Sequence, residues 1–129
     1  QPDNSPFIGV DLVEVSRITK AVARWGDRFL HRIYTPTELA EHNGRAASLA
    51  GRFAAKEAVM KALGTGPDVV PWRNIEVLRE PGGQPSVHLH GQAKKKATAL
   101  GLHGFSVSIS HTAKYAVAFV VGQSAAGKS

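Results

Sequence analysis

The sequence contains no cysteine. That excludes disulfides, thiolate zinc sites and cysteine nucleophiles, and it fits a reducing, cytoplasmic compartment. Acids are scarce: ten Asp and Glu stand against 16 Lys and Arg, a formal net charge of +6. A surface so weighted points to an anionic partner, whether nucleic acid, a phosphate-bearing small molecule, an acidic protein or a membrane surface. Aromatics are few, at 7%, which leaves little material for stacking on unpaired bases. No run reaches the roughly 18 apolar residues of a membrane span. The N-terminal residues lack the basic-then-apolar pattern of a secretory leader. There is no internal repeat and no linker.

What is present is a chain of 129 residues, 43% hydrophobic, read as one domain (1–129) with a core of about 7–121. A chain of this size buries roughly two-thirds of its surface on folding. Residues 1–6 are polar and read as a loose start; 122–129 are small and polar and read as a flexible tail.

Phe7 to Val15 is rich in β-branched residues and reads as a strand. Alternation puts Phe7, Gly9, Asp11, Val13 and Val15 on one face, and Ile8, Val10, Leu12 and Glu14 on the other. Asp11, between Val10 and Leu12, is out of place in a strand. A bulge with a solvated carboxylate is one reading; a metal or catalytic role is the other. Ser16 is a candidate cap for a helix to about Trp25. Arg17, Lys20 and Arg24 form a stripe on it, and Arg28 and Arg32 continue the spacing beyond Gly26. Such a stripe is either a solvated face or a docking face for an acidic partner. Thr35-Pro36-Thr37-Glu38 carries a capping box with proline at the first helical position.

The long central helix runs from near Arg45 to a C-cap glycine, Gly64. On a wheel of about 100° per residue, Leu49, Phe53, Met60 and Leu63 form its apolar stripe. Lys56 falls inside the stripe, Glu57 on its flank and Lys61 one turn beyond. Arg52, Lys56, Glu57 and Lys61 are four charges on a helix with almost no polar side, and a buried charge must be paired or bound to something. Glu57 and Lys61 could pair with each other; Arg52 and Lys56 would still want partners. The alanines at 46, 47, 50, 54, 55, 58 and 62 let neighbouring backbone approach closely.

Asn74–Arg79 and Ser86–His90, joined by the turn at Glu80–Pro85, read as a hairpin. Gln92–Leu100 is a helix carrying Lys94, Lys95 and Lys96. Phe105–Ser110 alternates strictly, with Phe105, Val107 and Ile109 inward, and Tyr115–Val121 reads as a buried strand. The order implies an α+β fold, a mostly antiparallel sheet packed on a long central helix.

Asp11 and Glu57 are the two acids most embedded in apolar segments. Mg²⁺ commonly takes one or two protein carboxylates plus substrate phosphates; Glu14 and Glu76 compete for either place. Ser110, His111 and Thr112 are donors at a strand end and suit an anion. A Ser–His hydrolase pairing is poor, because adjacent strand residues face opposite ways and no Gly-x-Ser-x-Gly elbow exists. The scattered histidines give only His88-x-His90 a chelating look. Gly64-Thr65-Gly66 is neither a Walker A loop nor a dinucleotide fingerprint, but its backbone N–H groups could meet a phosphate.

Three segments together resemble a known family: Ile8–Val15 followed by Arg17-Ile18, GRFAAKEAVMKALGTG at 51–66, and Val107–Thr112 with Tyr115-Ala116. They resemble the opening, signature and closing motifs of the small holo-(acyl-carrier-protein) synthases, within the 4′-phosphopantetheinyl transferases. The resemblance covers about residues 7 to 121. It implies the phosphopantetheinyl transferase fold and Mg²⁺-dependent transfer of 4′-phosphopantetheine from coenzyme A to a serine of apo acyl carrier protein, releasing adenosine 3′,5′-bisphosphate, in fatty acid biosynthesis and lipid metabolism. It implies a homotrimer with sites between protomers. Asp11 and Glu57 match metal carboxylates, with Glu57 the candidate base. Lys61 matches a lysine near the pyrophosphate, and Gly64 lies beside it. Arg52 matches a residue holding coenzyme A phosphates, as do Ser110, His111 and Thr112 from a neighbouring protomer. Arg17 and Arg24 match the helix that docks the carrier. Lys56 is expected to pair across a protomer interface or reach the ligand. The alternative reading is a basic nucleic-acid-binding module, with Arg17–Arg32 and Lys94–Lys96 on phosphates.

Overall fold

The structure is a computed structural model that describes residues 7–42 and 44–124; the expected loose start and most of the expected tail lie outside these. The elements in order are β1 (Ile8–Glu14), α1 (Val15–Trp25), α2 (Asp27–Ile33), α3 (Pro36–Glu41), α4 (Ala46–Leu63), a 3₁₀ turn at Trp72–Asn74, β2 (Ile75–Arg79), β3 (Pro85–Leu89), α5 (Gly91–Ala99), β4 (Leu102–His111) and β5 (Tyr115–Ser124). β1, β5 and β4 form an antiparallel sheet in that order, and β2–β3 is a separate antiparallel hairpin. The α+β reading holds.

The sheet has two different faces. Gly9, Asp11 and Val13 of β1 pair with Val120, Ala118 and Ala116 of β5 and face α4. On the other side, Ile8, Val10, Leu12, Tyr115 and Phe119 are exposed, flanked by Ser106, Ser108 and Ser110. The period-two alternation of β1 thus places Asp11 on the covered side.

α4 is the axis of the core. Thirteen of its residues are buried, among them Leu49, Phe53, Val59, Met60, Leu63 and six small ones. Its alanines let β1 come very close: a Cβ at Gly9 would fall 1.9 Å from the carbonyl oxygen of Ala58. Only glycine fits there, since the obstacle is backbone that has no rotamer to give. α4 ends at Gly64, whose left-handed φ of 71° closes the helix as expected.

Several boundaries move. β1 passes directly into α1 with Glu14, not Ser16, at the N-cap position, and no side chain caps it. Gly26, at φ 56° and ψ −133°, breaks the helix, so Arg28 and Arg32 belong to α2 rather than to a continued face of α1. β5 runs on to Ser124, pairing Gly122 with Phe105; polar composition suggested a tail there, but a ladder to β4 satisfies the backbone whatever the side chains. The capping box at Thr35 and Glu38 forms as read and is worth about 1 kcal/mol.

Candidate active site

The closeness of β1 and α4 brings Asp11, Glu57 and Lys61 together. The Lys61 ammonium donates to Asp11 Oδ1 at 3.0 Å and to the Val10 carbonyl at 3.2 Å. Its side chain is 55% exposed, while that of Asp11 is only 12% exposed. Glu57 lies one turn before Lys61 on the same flank of α4. Burial pushes its carboxyl above the usual carboxylate range, the Asp11 charge adds to that, and Arg17 and Lys61 pull the other way. Two partly buried carboxylates close enough to interact repel unless a cation lies between or beside them. Lys61 therefore pairs with Asp11 across the cleft rather than with Glu57 along the helix.

The donor set suits a hard divalent cation. Asp11 and Glu57 supply carboxylate oxygens, and among the described residues no group of three or more His, Cys, Asp or Glu forms a cluster. Two protein carboxylates with the remaining positions left to water and phosphate oxygens is what Mg²⁺ takes, and what a zinc site does not. The rival acids are elsewhere: Glu14 is exposed, and Glu76 is held by Thr35 Oγ1 at 2.6 Å and His90 Nε2 at 2.9 Å. Burial alone would raise Glu76; those two hydrogen bonds, together with the charges of His90 and His88, outweigh it and hold the carboxyl below its ordinary value. His88-x-His90 is a surface pair, each imidazole facing a glutamate.

A second feature lies at the opposite edge of the sheet, by the N-terminus of α4. A cavity of about 270 Å³ is lined by Arg45, Ser48, Gly51, Arg52, Arg79 and His111, among others. Three arginines, an imidazole and a helix N-terminus make it a site for anions. Arg52 is fixed in its wall: Nε donates to the Val77 carbonyl (2.9 Å), Nη1 to Ser48 Oγ (3.1 Å) and Nη2 to Glu41 Oε1 (2.7 Å). Burial lowers its pKa and Glu41 opposes that shift. Five N–H groups minus three used leaves two for a ligand. Arg45 and Arg79 were not singled out in the sequence, because nothing local links a residue before a helix to the end of a strand.

The segment 110–112 divides. His111 faces the cavity, whereas Ser110 points to the other, apolar face of the sheet. Thr112 Oγ1 accepts from the N–H of Lys114 and of Tyr115, both at 3.1 Å, tying the β4–β5 turn. Within one chain the three residues are therefore not one donor group. The N–H groups of Gly64 and Thr65 return to the Lys61 and Met60 carbonyls, so they are not free for a phosphate. This is the ordinary satisfaction of a helix C-terminus.

Lys56 corrects another expectation. It is fully buried and pairs inside its own chain, with Glu38 Oε1 at 2.8 Å, and donates also to the carbonyls of Trp72, at 3.2 Å, and Ile75. It needs no second protomer and no ligand. Burial pulls its pKa down while Glu38 opposes.

The cationic stripe is exposed at Arg17, Lys20, Arg24, Arg28 and Arg32. Arg17 also lies over the Phe53 ring at 5.3 Å, and Arg24 over Trp25 at 4.9 Å. Arg17 is thus both on the stripe and within electrostatic reach of Glu57, a link that the sequence did not reveal. Among the described residues no helix is long and apolar enough to cross a membrane.

Comparison with known proteins finds relatives over most of the chain. Residues 7–120 match the family model of the 4′-phosphopantetheinyl transferase superfamily. The chain is 54% identical over 117 residues to a holo-(acyl-carrier-protein) synthase of Dehalococcoides mccartyi, covering 91% of this chain and 98% of that one. It is 48% identical to the corresponding synthase of Herpetosiphon aurantiacus, over 88% and 95%. Among solved structures, the Helicobacter pylori synthase in complex with coenzyme A superposes with a TM-score of 0.81 at 36% identity, over 90% and 99% of the two chains. The Bacillus anthracis synthase in complex with CoA (3′,5′-ADP) gives a TM-score of 0.75 at 35% identity, over 93% and 98%. The chain belongs to the 4′-phosphopantetheinyl transferase superfamily, among its holo-(acyl-carrier-protein) synthases.

Proposed function

We propose that this chain transfers 4′-phosphopantetheine from coenzyme A to a serine of an apo acyl carrier protein, with Mg²⁺, releasing adenosine 3′,5′-bisphosphate. The observation that carries the reading is the cleft in which Asp11, Glu57 and Lys61 converge. It has an oxygen pair for a divalent cation, a carboxylate placed to accept a proton, and an exposed ammonium hydrogen-bonded to Asp11. Bound there, Mg²⁺ would neutralise pyrophosphate charge and orient the β-phosphorus for attack. Glu57 takes the proton of the carrier serine as its oxygen attacks. Lys61 stabilises the charge that builds on the departing bisphosphate. Asp11 holds Lys61 in place and supplies the second carboxylate.

Coenzyme A is the donor in this reading because relatives at 36% and 35% identity are described with it bound. The arginine-lined cavity has the charge to hold its phosphates through Arg45, Arg52, Arg79 and His111. That cavity and the Asp11–Glu57 cleft lie on opposite edges of the sheet, with β5 between β1 and β4. A head-to-tail homotrimer would bring one protomer's cavity edge to the next protomer's cleft edge, with Ser110 and Thr112 contributing there. The exposed apolar residues Ile8, Val10, Leu12, Tyr115 and Phe119 support such association. Arg17 and Arg24 dock the acidic carrier, chiefly raising the rate of encounter. The setting is cytoplasmic fatty acid and lipid biosynthesis.

The test is to mix the protein with coenzyme A, Mg²⁺ and an apo carrier protein, and weigh the carrier. A mass gain of one phosphopantetheine is expected; a carrier of unchanged mass, with both proteins folded, overturns the reading.

A further inference from the structure

The Glu38–Lys56 pair has no part in the chemistry above, yet it is fully buried and fully hydrogen-bonded. Both side chains are 0% exposed. The three donors of the Lys56 ammonium go to Glu38 Oε1 and to the carbonyls of Trp72 and Ile75. Glu38 Oε1 also accepts from Thr35 N, and Oε2 from Val77 N at 2.7 Å. One ammonium thus ties α4 to α3, to the 3₁₀ turn and to β2. Buried ion pairs are poor contributors to stability, because desolvation offsets the attraction. In some proteins such a group instead selects one arrangement over its neighbours.

α4 needs such selection. Six of its thirteen buried residues, Ala50, Gly51, Ala54, Ala55, Ala58 and Ala62, are small. Small residues allow close approach but offer shallow ridges, so over that part of its surface packing resists rotation less than large side chains would. Rotation is what the active site cannot tolerate. Glu57 follows Lys56 directly and projects about 100° further round. With side-chain tips about 6 Å from the axis, a 10° turn moves the Glu57 carboxylate about 1 Å. A second link supports the first: the Trp72 whose carbonyl binds Lys56 stacks on Phe53 at 4.9 Å, and Arg17, which acts on Glu57, lies over the same Phe53 ring.

We infer that Glu38 and Lys56 are positioning residues that fix the rotational setting of α4, and so the place of Glu57 against Asp11, without touching substrate. This rests on the transferase reading. The test compares the wild type with Lys56→Met and with the double variant Glu38→Gln/Lys56→Met, in which neither charge is left buried alone. Turnover is expressed per folded molecule, and Mn²⁺ affinity is read by electron paramagnetic resonance without coenzyme A. In the double variant kcat should fall about 10²-fold, the effect of a misplacement near 1 Å. KM for coenzyme A should change less than kcat, and Mn²⁺ affinity should fall about 10-fold, as when an outer-shell support is lost. A double variant with wild-type kcat and wild-type Mn²⁺ affinity per folded molecule overturns the positioning role. Absence of transfer by the wild type would instead sink the reaction, and the Mn²⁺ comparison would still decide the placement of Glu57.

Discussion

Lys56 and Lys61 lie on the same helix, and each meets a carboxylate from another part of the chain at a similar distance, 2.8 and 3.0 Å. The similarity ends there. Lys56 is fully buried, its three donors all taken by fixed acceptors. Lys61 is 55% exposed, and its contacts to Asp11 and Val10 leave it free to turn toward a ligand. The carboxylates differ likewise: Glu38 is buried in backbone N–H groups, while Asp11 faces Glu57 across a cleft. An ion pair is therefore not a function in itself. Surroundings decide whether it holds the fold still or stands ready for a substrate.

Substitutions can break this contrast. Lys56→Ala should destabilise the protein by about 3–5 kcal/mol, since it strands the Glu38 charge in the core; urea denaturation reads the loss, and a change under 1 kcal/mol would count against a buried, saturated pair. Glu57→Gln should lower transfer about 10³-fold in the carrier mass assay, with the far-ultraviolet circular dichroism spectrum kept; near-normal turnover would remove Glu57 from the site. Lys61→Ala should leave stability within about 0.5 kcal/mol, as for exposed residues generally, while transfer falls about 10²-fold. Equal losses of stability at Lys56 and Lys61 would erase the distinction.

The smallest effect concerns Glu57 and pH, with divalent cations removed by EDTA. Its folded pKa is raised, by burial first and by Asp11 second. A carboxyl with a raised folded pKa favours the folded state below its unfolded value, and that advantage is lost as pH rises through the folded value. Glu57→Gln should therefore melt slightly higher than the wild type at neutral pH, with the gap closing once pH drops below the ordinary carboxylate range. A gap that widens on acidification would show the opposite shift.

Much of this was legible in the residues. The alternation of Phe7–Val15 put Asp11 on one face with Gly9 and Val13, the face that α4 covers in the structure, and Thr35–Glu38 announced a helix start. The wheel placed Lys56 inside and Glu57 on the flank. Membership of the synthases now decides for an enzyme over a basic nucleic-acid-binding module. Glu38 was the blind spot. Its place in the capping box gave it a complete local role, so nothing suggested that the same carboxylate also receives Lys56 and Val77. Arg45 and Arg79 were missed for a related reason: the cavity that joins them to Arg52 and His111 draws on segments far apart in the chain.

The sequence by itself determined the periodicities, the caps and the presence of four charges on a helix with hardly any polar side. Those follow from short-range sterics and hydrogen bonding, which a few neighbouring residues settle. Only the tertiary structure decided which charge meets which: Lys61 with Asp11, Lys56 with Glu38, Arg52 with Glu41. Partner choice depends on how closely β1 approaches α4, which contacts such as Gly9 against the Ala58 carbonyl set, and on how α4 is rotated about its axis; both rest on residues that no local pattern connects.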